Sequence, residues 1–323
     1  MYILGFDIGG TKCAVTLAKG EIPENTDGFI SDKIAFPTAV ERGWRAVVAE
    51  LISSAHTLLN RNSIENNMLK SCGISCGGPL DSKRGVIQCP PNLPDWDEVP
   101  ITQMISSEFG VPAFLQNDAN ACAVAEWKFG AGRGLENLVF LTFGTGMGAG
   151  LILGGRLYAG TNDLAGEVGH IRLNETGPLG YGKRGSFEGF CSGGGIAGMA
   201  KEMLKNYLDH GGESALSVET EISAKTVALA AKAGDELAKS VYRECARRLG
   251  QGLSLLIDIL NPEAIIIGSI YSRDRELFDE IIADVIKRET LPVSGQTCKI
   301  LPAALGNSIG DFAALAVALD GKE

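Results

Sequence analysis

The 323-residue chain contains eight cysteines but no CxxC pair, and only three histidines. Scattered thiols without paired spacing read as free cysteines in a reducing compartment. The N-terminus shows no basic n-region and no cleavage site, so the expected location is cytoplasmic. No apolar run approaches about 18 residues, so no membrane-spanning helix is expected; the acidic net charge predicts no membrane partner either. A basic excess is also missing. Lys+Arg number 29 against Asp+Glu 39, for a net charge of −10. Nucleic acid is therefore not an expected partner, because nothing neutralises its phosphates. A nucleotide stays open, since backbone N–H groups, helix N-termini and Mg²⁺ can hold phosphate. No GxxxxGK[ST] loop, no convincing GxGxxG fingerprint, and neither HRD nor DFG is present. P-loop and protein-kinase chemistry are thereby set aside.

What the chain does have is glycine: 42 residues, about 13% against a usual share of about 7%. Two turns concentrate it. Tyr2 to Ile8 reads as a strand broken by DIGGTK (Asp7 to Lys12) and resumed at Cys13 to Leu17. Leu138 to Phe143 reads as a strand broken by GTGMGAG (Gly144 to Gly150) and resumed at Leu151 to Leu153. The turns stand 135 residues apart, from Gly9 to Gly144. A repeat of this size predicts two related α/β halves. Alternate residues of an extended strand share one face. Gly144, Gly146, Gly148 and Gly150 therefore strip one face of side chains, so that something large can reach the backbone. Two such turns heading two matched halves point to a phosphate cradle. Asp7, at a strand end, suits Mg²⁺; Thr11 and Thr145 add hydroxyls, and Lys12 either reaches a phosphate or is a solvated hairpin lysine.

Further strands are expected at Lys33 to Phe36, Lys70 to Ser75, Val111 to Leu115, near Val168 to Leu173, and at Ile265 to Ile267. Helices are expected from Trp44 to Leu59, near Ile101 to Glu108, from about Asp118, near Gly195 to Leu208, Ala224 to Ala233, Asp235 to Leu260, and Ile309 to Leu319. The expected division is an N-terminal lobe over 1–116, with a C-terminal helix over about 305–323 packing back on it, and a larger lobe over 117–304. A cleft is expected between them.

DIGGT, GTGMGAG, GEVGH (Gly166 to His170) and GNSIGDFAAL (Gly306 to Leu315), in that order, resemble the ROK family of repressors, open reading frames and sugar kinases. The resemblance runs over almost the whole chain. It implies an α/β actin-like (ribonuclease H-like) two-lobed ATPase fold with an interlobe cleft. It also implies transfer of the γ-phosphate of Mg·ATP to a hexose, and a homodimer. NDAN (Asn117 to Asn120) resembles the family's catalytic motif, which makes Asp118 the general base. As a bare sequence feature Asp118 also reads as a helix N-cap, and a helix N-terminus favours a carboxylate's charged form. The resemblance assigns Glu167, His170, Glu188 and Asn117 to sugar hydroxyls, and Gly77 and Gly78 to a turn near the sugar. Asn92 and Trp96 of NLPDW match a loop beside the substrate, or form a Pro-rich turn with a packing Trp. The nucleotide side comprises Asp7, Gly9, Gly10, Thr11, Lys12, Gly144, Thr145, Gly146 and Gly268.

The sequence departs from the family pattern at three places. Many members carry a structural zinc held by the His of the GH pair and three cysteines. Those cysteine positions are Leu179, Tyr181 and Ser186 here. One His cannot build a tetrahedral site, so no zinc is expected, and the Tyr181 ring is a candidate to fill the metal's place. The family's Gly-Gly after the late strand is Gly268-Ser269 here, and its Asn-Asp-Ala is Asn307-Ser308-Ile309. The leading expectation is an ATP-dependent hexose kinase, with glucose ahead of N-acetylhexosamine, mannose or fructose. A non-catalytic sugar sensor is the alternative. The repressor branch is not expected, since only six residues precede Asp7 and net charge is negative.

Overall fold

The computed structural model describes residues 1–321; Lys322 and Glu323, the end of the helix expected over 305–323, lie outside the described residues. In chain order come β1 (Tyr2–Ile8), β2 (Lys12–Lys19), β3 (Ile30–Pro37), α1 (Trp44–Arg61), β4 (Leu69–Cys76), the ribbon β5 (Leu80–Asp81) and β6 (Val86–Ile87), α2 (Ile101–Phe109), β7 (Ala113–Asn117) and α3 (Asp118–Phe129). There follow β8 (Leu138–Phe143), β9 (Met147–Ile152), the ribbon β10 (Leu179–Gly180) and β11 (Lys183–Arg184), α4 (Phe187–Phe190), α5 (Gly193–Asp209), α6 (Ala224–Lys232) and α7 (Glu236–Leu260). The chain closes with β12 (Ala264–Ile267), α8 (Ile270–Asp274), α9 (Asp279–Glu289), α10 (Pro292–Thr297), β13 (Lys299–Pro302) and α11 (Ile309–Asp320). Among the described residues no helix is long and apolar enough to cross a membrane.

The chain divides into two compact units. The first comprises Met1–Glu136, Gly150–Ala165 and the C-terminal segment from Ala304; the second comprises Asn137–Ala149 and Gly166–Ala303. The boundary expected at residue 116 falls inside the first of these stretches. Helix α3 packs on α11 and so belongs with the first unit.

The first unit is built on a sheet of order β3-β2-β1-β4-β7. β1 runs antiparallel to β2 and parallel to β4, and β4 runs parallel to β7. One face is covered by α1, whose Val47, Val48, Leu51, Ala55, Leu58 and Leu59 recur at helical spacing and are buried. Helix α11 covers β1 and β4. Gly73 makes that contact possible, because a Cβ there would collide with the backbone of Ala314 and Ala318. Ser71 Oγ then donates to the Ala318 carbonyl at 2.7 Å.

Glu126 of α3 is fully buried, and sequence reasoning gave it no role. Its carboxylate accepts from the backbone N–H groups of Ala131 (2.8 Å), Ala304 (3.1 Å) and Leu305 (2.9 Å). It thus fastens the segment leading into α11. Glu126→Gln replaces one acceptor oxygen by a donor facing those N–H groups, so a loss of about 1–3 kcal/mol is expected in urea unfolding.

The second unit holds a sheet of order β13-β12-β8-β9, with β12 parallel to both β8 and β13. β12 is buried along its whole length, as its isoleucine run requires of a central parallel strand. α7 is capped by Asp235, which accepts from Ala238 N at 2.8 Å, and ends at Asn261 in the left-handed conformation, just before Pro262. The strand expected near Val168 to Leu173 is instead a 3₁₀ turn over Val168–His170. Gly166 has φ +93°, and it brings the chain against the Ala149 backbone, which a continuous strand could not do.

Candidate active site

In the first unit, β1 delivers Asp7 to its end and the chain turns at Gly9 to Thr11 before β2. Gly9 N–H donates to Lys12 O at 3.1 Å. Buried Thr38, at the end of β3, fixes the turn from outside. Its hydroxyl donates to Gly9 O at 2.6 Å and its N–H to Thr11 O at 2.9 Å. No sequence signal marks Thr38, since it acts across a strand pair. Thr11 and Lys12 are exposed. A Cβ on Gly10 would lie 2.5 Å from Asn92 O, and one on Gly77 would lie 3.4 Å from Asn92 Oδ1. The structure therefore brings Gly10, Gly77 and Asn92 together. Gly78 faces open space. Trp96 is fully buried in the core of this unit, where its ring packs.

Asp7 is pushed up to about 7, first by burial, then by the carboxylates of Asp311 and Asp118; Lys33 and Lys12 pull the other way. Lys33 Nζ meets the Asp311 carboxylate at 2.5 and 2.6 Å. Sequence reasoning missed both residues, which lie 278 positions apart. The expected cap on α3 is also corrected. Asn117 is the N-cap, its Oδ1 accepting from Asn120 N at 2.7 Å. Asp118 is the first helical residue, exposed, with Oδ1 accepting from its neighbour Ala119 N at 2.8 Å. Asn117 itself is buried.

The second glycine turn splits in function. A Cβ on Gly150, within the first unit, would strike Ala119 O and the Ala123 side chain at 2.5 Å, so this glycine serves close packing of a helix. In the second unit, Gly144 faces Ser269 and Gly146 faces Glu188, whose Oε2 would lie 2.9 Å from an added Cβ. Glu188 Oε2 also accepts from Met147 N at 3.1 Å, and its Cβ lies beside Gly169. Glu188 is thus placed between the glycine turn and GEVGH. The N-terminus of α5 abuts the same turn, Gly193 N–H donating to Gly144 O at 2.8 Å. That run of three glycines, Gly193 to Gly195, was a legible signal that sequence reasoning passed over.

Gly268 packs against the Phe140 ring, and its N–H donates to Leu141 O at 3.0 Å. Ser269 follows at φ +52°, ψ −110°, a conformation that favours glycine. The departure from Gly-Gly therefore carries strain. Ser269→Gly is expected to stabilise the chain by about 1 kcal/mol, visible as a higher midpoint in urea; an unchanged or lower midpoint counts against stored strain.

Glu167 and His170 are both exposed. Tyr181 Oη donates to Glu167 Oε2 at 3.2 Å, and its ring stands edge-on to His170 at 5.4 Å. At 55% exposure the ring does not plug the loop, which corrects the packing role expected for it. The His170 ring nitrogen Nδ1 is met by Lys183 Nζ at 2.8 Å instead. Among the described residues no group of three His, Cys, Asp or Glu side chains is arranged to hold a metal.

Two glycine turns head two sheets, one beside a strand-end carboxylate, and similarity to solved structures shows the fold to be that of the actin-like ATPases. The chain belongs to the ROK family, whose model matches residues 3–320. A glucokinase of Thermotoga maritima is 31% identical over 98% of this chain and 96% of its own. The solved ROK glucokinase of Streptomyces griseus, in complex with glucose and AMPPNP, superposes with a TM-score of 0.74 at 29% identity, over 98% of this chain and 99% of that one. A xylose repressor of Caldicellulosiruptor bescii is 32% identical over 71% of this chain, which covers 57% of that protein.

Proposed function

We propose that this chain transfers the γ-phosphoryl group of ATP to a hydroxyl of a hexose, glucose foremost, with Asp118 as general base. The observation that carries the reading is Asp118 itself. It is an exposed carboxylate on the first turn of a buried helix, and Asn117 relieves it of capping. In a loose phosphoryl transfer such a base orients the hydroxyl and accepts its proton late. Glu167, His170, Glu188 and Asn117 supply acceptors and donors for the remaining sugar hydroxyls. Asn92 and Gly78 are assigned to the sugar as well in this reading. The turns at Gly9, Gly10, Thr11 and Lys12, and at Gly144, Thr145 and Gly146, offer backbone N–H groups to phosphates, with Gly268 beside the nucleotide.

For Mg²⁺ the fit rests on Asp7. Burial raises it first, and the neighbouring carboxylates of Asp311 and Asp118 raise it further, a negative field that a cation relieves. Mg²⁺ commonly takes one or two carboxylates and fills its other positions with water and phosphate oxygens. When bound it neutralises charge on the transferring phosphoryl group.

The test is ADP release over a panel of glucose, mannose, fructose and N-acetylglucosamine. Stimulation by one or more sugars is expected, and a flat panel overturns the reading. The similarity to repressors favours a second reading, a sugar sensor without turnover. Calorimetric sugar binding together with a flat panel would select it.

A further inference from the structure

We propose that Lys183 is a positioning residue that fixes His170 in one tautomer and one ring orientation, so that Nε2–H faces the sugar as a donor. This rests on the reading that His170 binds a sugar hydroxyl.

The argument begins with local backbone. β10 and β11 pair antiparallel, with Gly180 opposite Lys183. The two residues between them, Tyr181 and Gly182, have φ +54° and +68°. Positive φ at both central positions makes this a tight two-residue hairpin of the primed kind. The hairpin is tied down by Ser186, whose Oγ donates to Gly180 O at 2.9 Å and accepts from Gly189 N at 3.0 Å. Lys183 therefore leaves a held ribbon and not a free loop. Its Nζ reaches both His170 Nδ1 (2.8 Å) and His170 O (2.7 Å), gripping ring and backbone of the same residue.

A lysine ammonium has three donors and no acceptor. Nδ1 must then be the accepting, unprotonated nitrogen, and the ring proton belongs on Nε2. A neutral imidazole without that partner exchanges its proton between both nitrogens, and the Nδ1–H form offers a sugar the wrong polarity at Nε2. Tyr181, from the turn of the same hairpin, makes a T-shaped ring contact with His170 and bonds Glu167. The hairpin thus sets both members of the Glu167–His170 pair, one through Tyr181 and the other through Lys183.

The chain has three histidines, so ¹⁵N-histidine NMR with His170→Ala for assignment reads the tautomer directly. In the parent protein His170 is expected as the Nε2–H form. Lys183→Met should give a tautomer mixture and raise the sugar KM by about 3–10-fold, with kcat changed less than about 2-fold. Lys183→Arg, which keeps a donor, should restore both. An unchanged His170 spectrum in Lys183→Met, or an unchanged sugar KM there while His170→Ala raises it, overturns the positioning role. A sugar KM unchanged in His170→Ala overturns instead the assignment of His170 to the sugar.

Discussion

Asp118→Asn is expected to lower kcat for the hexose-stimulated reaction by about 10³-fold, within the 10²–10⁴ that a positioned general base contributes. The substitution is close to isosteric. It keeps an oxygen for Ala119 N, and the cap of α3 stays with Asn117. Folding should therefore be unaffected, and the loss should appear in kcat and in kcat/KM alike, the pattern of an interaction made in the transition state. Steady-state ADP release with the best sugar of the panel, alongside thermal unfolding, checks both halves. A variant that turns over like its parent removes Asp118 from the chemistry.

The second large effect concerns Asp7. Its carboxyl titrates at about 7 in the folded chain against 3.8 when unperturbed, because burial and two neighbouring carboxylates oppose its charge. The folded state thus holds this proton over a window in which the unfolded state has lost it. Asp7 therefore contributes most to stability below pH 3.8, and that contribution is lost as pH rises to about 7. The slope is at most about 1.4 kcal/mol per pH unit. Asp7→Asn removes it. In metal-free buffer the variant should match its parent near pH 4 and exceed it in stability at pH 8, while the proposed phosphoryl transfer falls by about 10²-fold or more through loss of the proposed Mg²⁺ ligand. Denaturant unfolding at the two pH values, with EDTA present, is the measurement. A pH-independent difference would mean that Asp7 is not held protonated by its surroundings.

Most of the first unit's framework could be read from the chain. Val47 to Leu59 announces α1 by helical spacing, and DIGGTK announces the hairpin by glycine punctuation. The observed strands Leu69–Cys76 and Ala113–Asn117 fall within two residues of expectation. Candidate residues at the two glycine turns were legible for the same reason: a turn near a ligand restricts residue type locally. What was not legible is what the fold joins over distance. Lys33 with Asp311, Thr38 with Gly9, and Glu126 with Ala304 and Leu305 carry no periodicity, because each pair is made by tertiary contact alone. The stretch after Ser269 failed differently. α9 does bury Ile282, Val285 and Ile286 at helical spacing, but α8, α10 and β13 run only 5, 6 and 4 residues, too short for either period to stand out. Lys183 carries no signal of its own, because its partner His170 lies 13 positions away and only the folded hairpin brings the two together.

The route of the chain through the first unit has a consequence for synthesis. Three separate stretches make that unit, and α11 covers β1 and β4 only after every residue of the second unit has been translated. A nascent chain on the ribosome will therefore display the glycine-notched face of Gly5 and Gly73 uncovered until the last helix emerges. Domains ordinarily fold in order of synthesis. Here the first to begin is the last to close, and chaperone engagement during that interval should track the length of the second unit rather than that of the first.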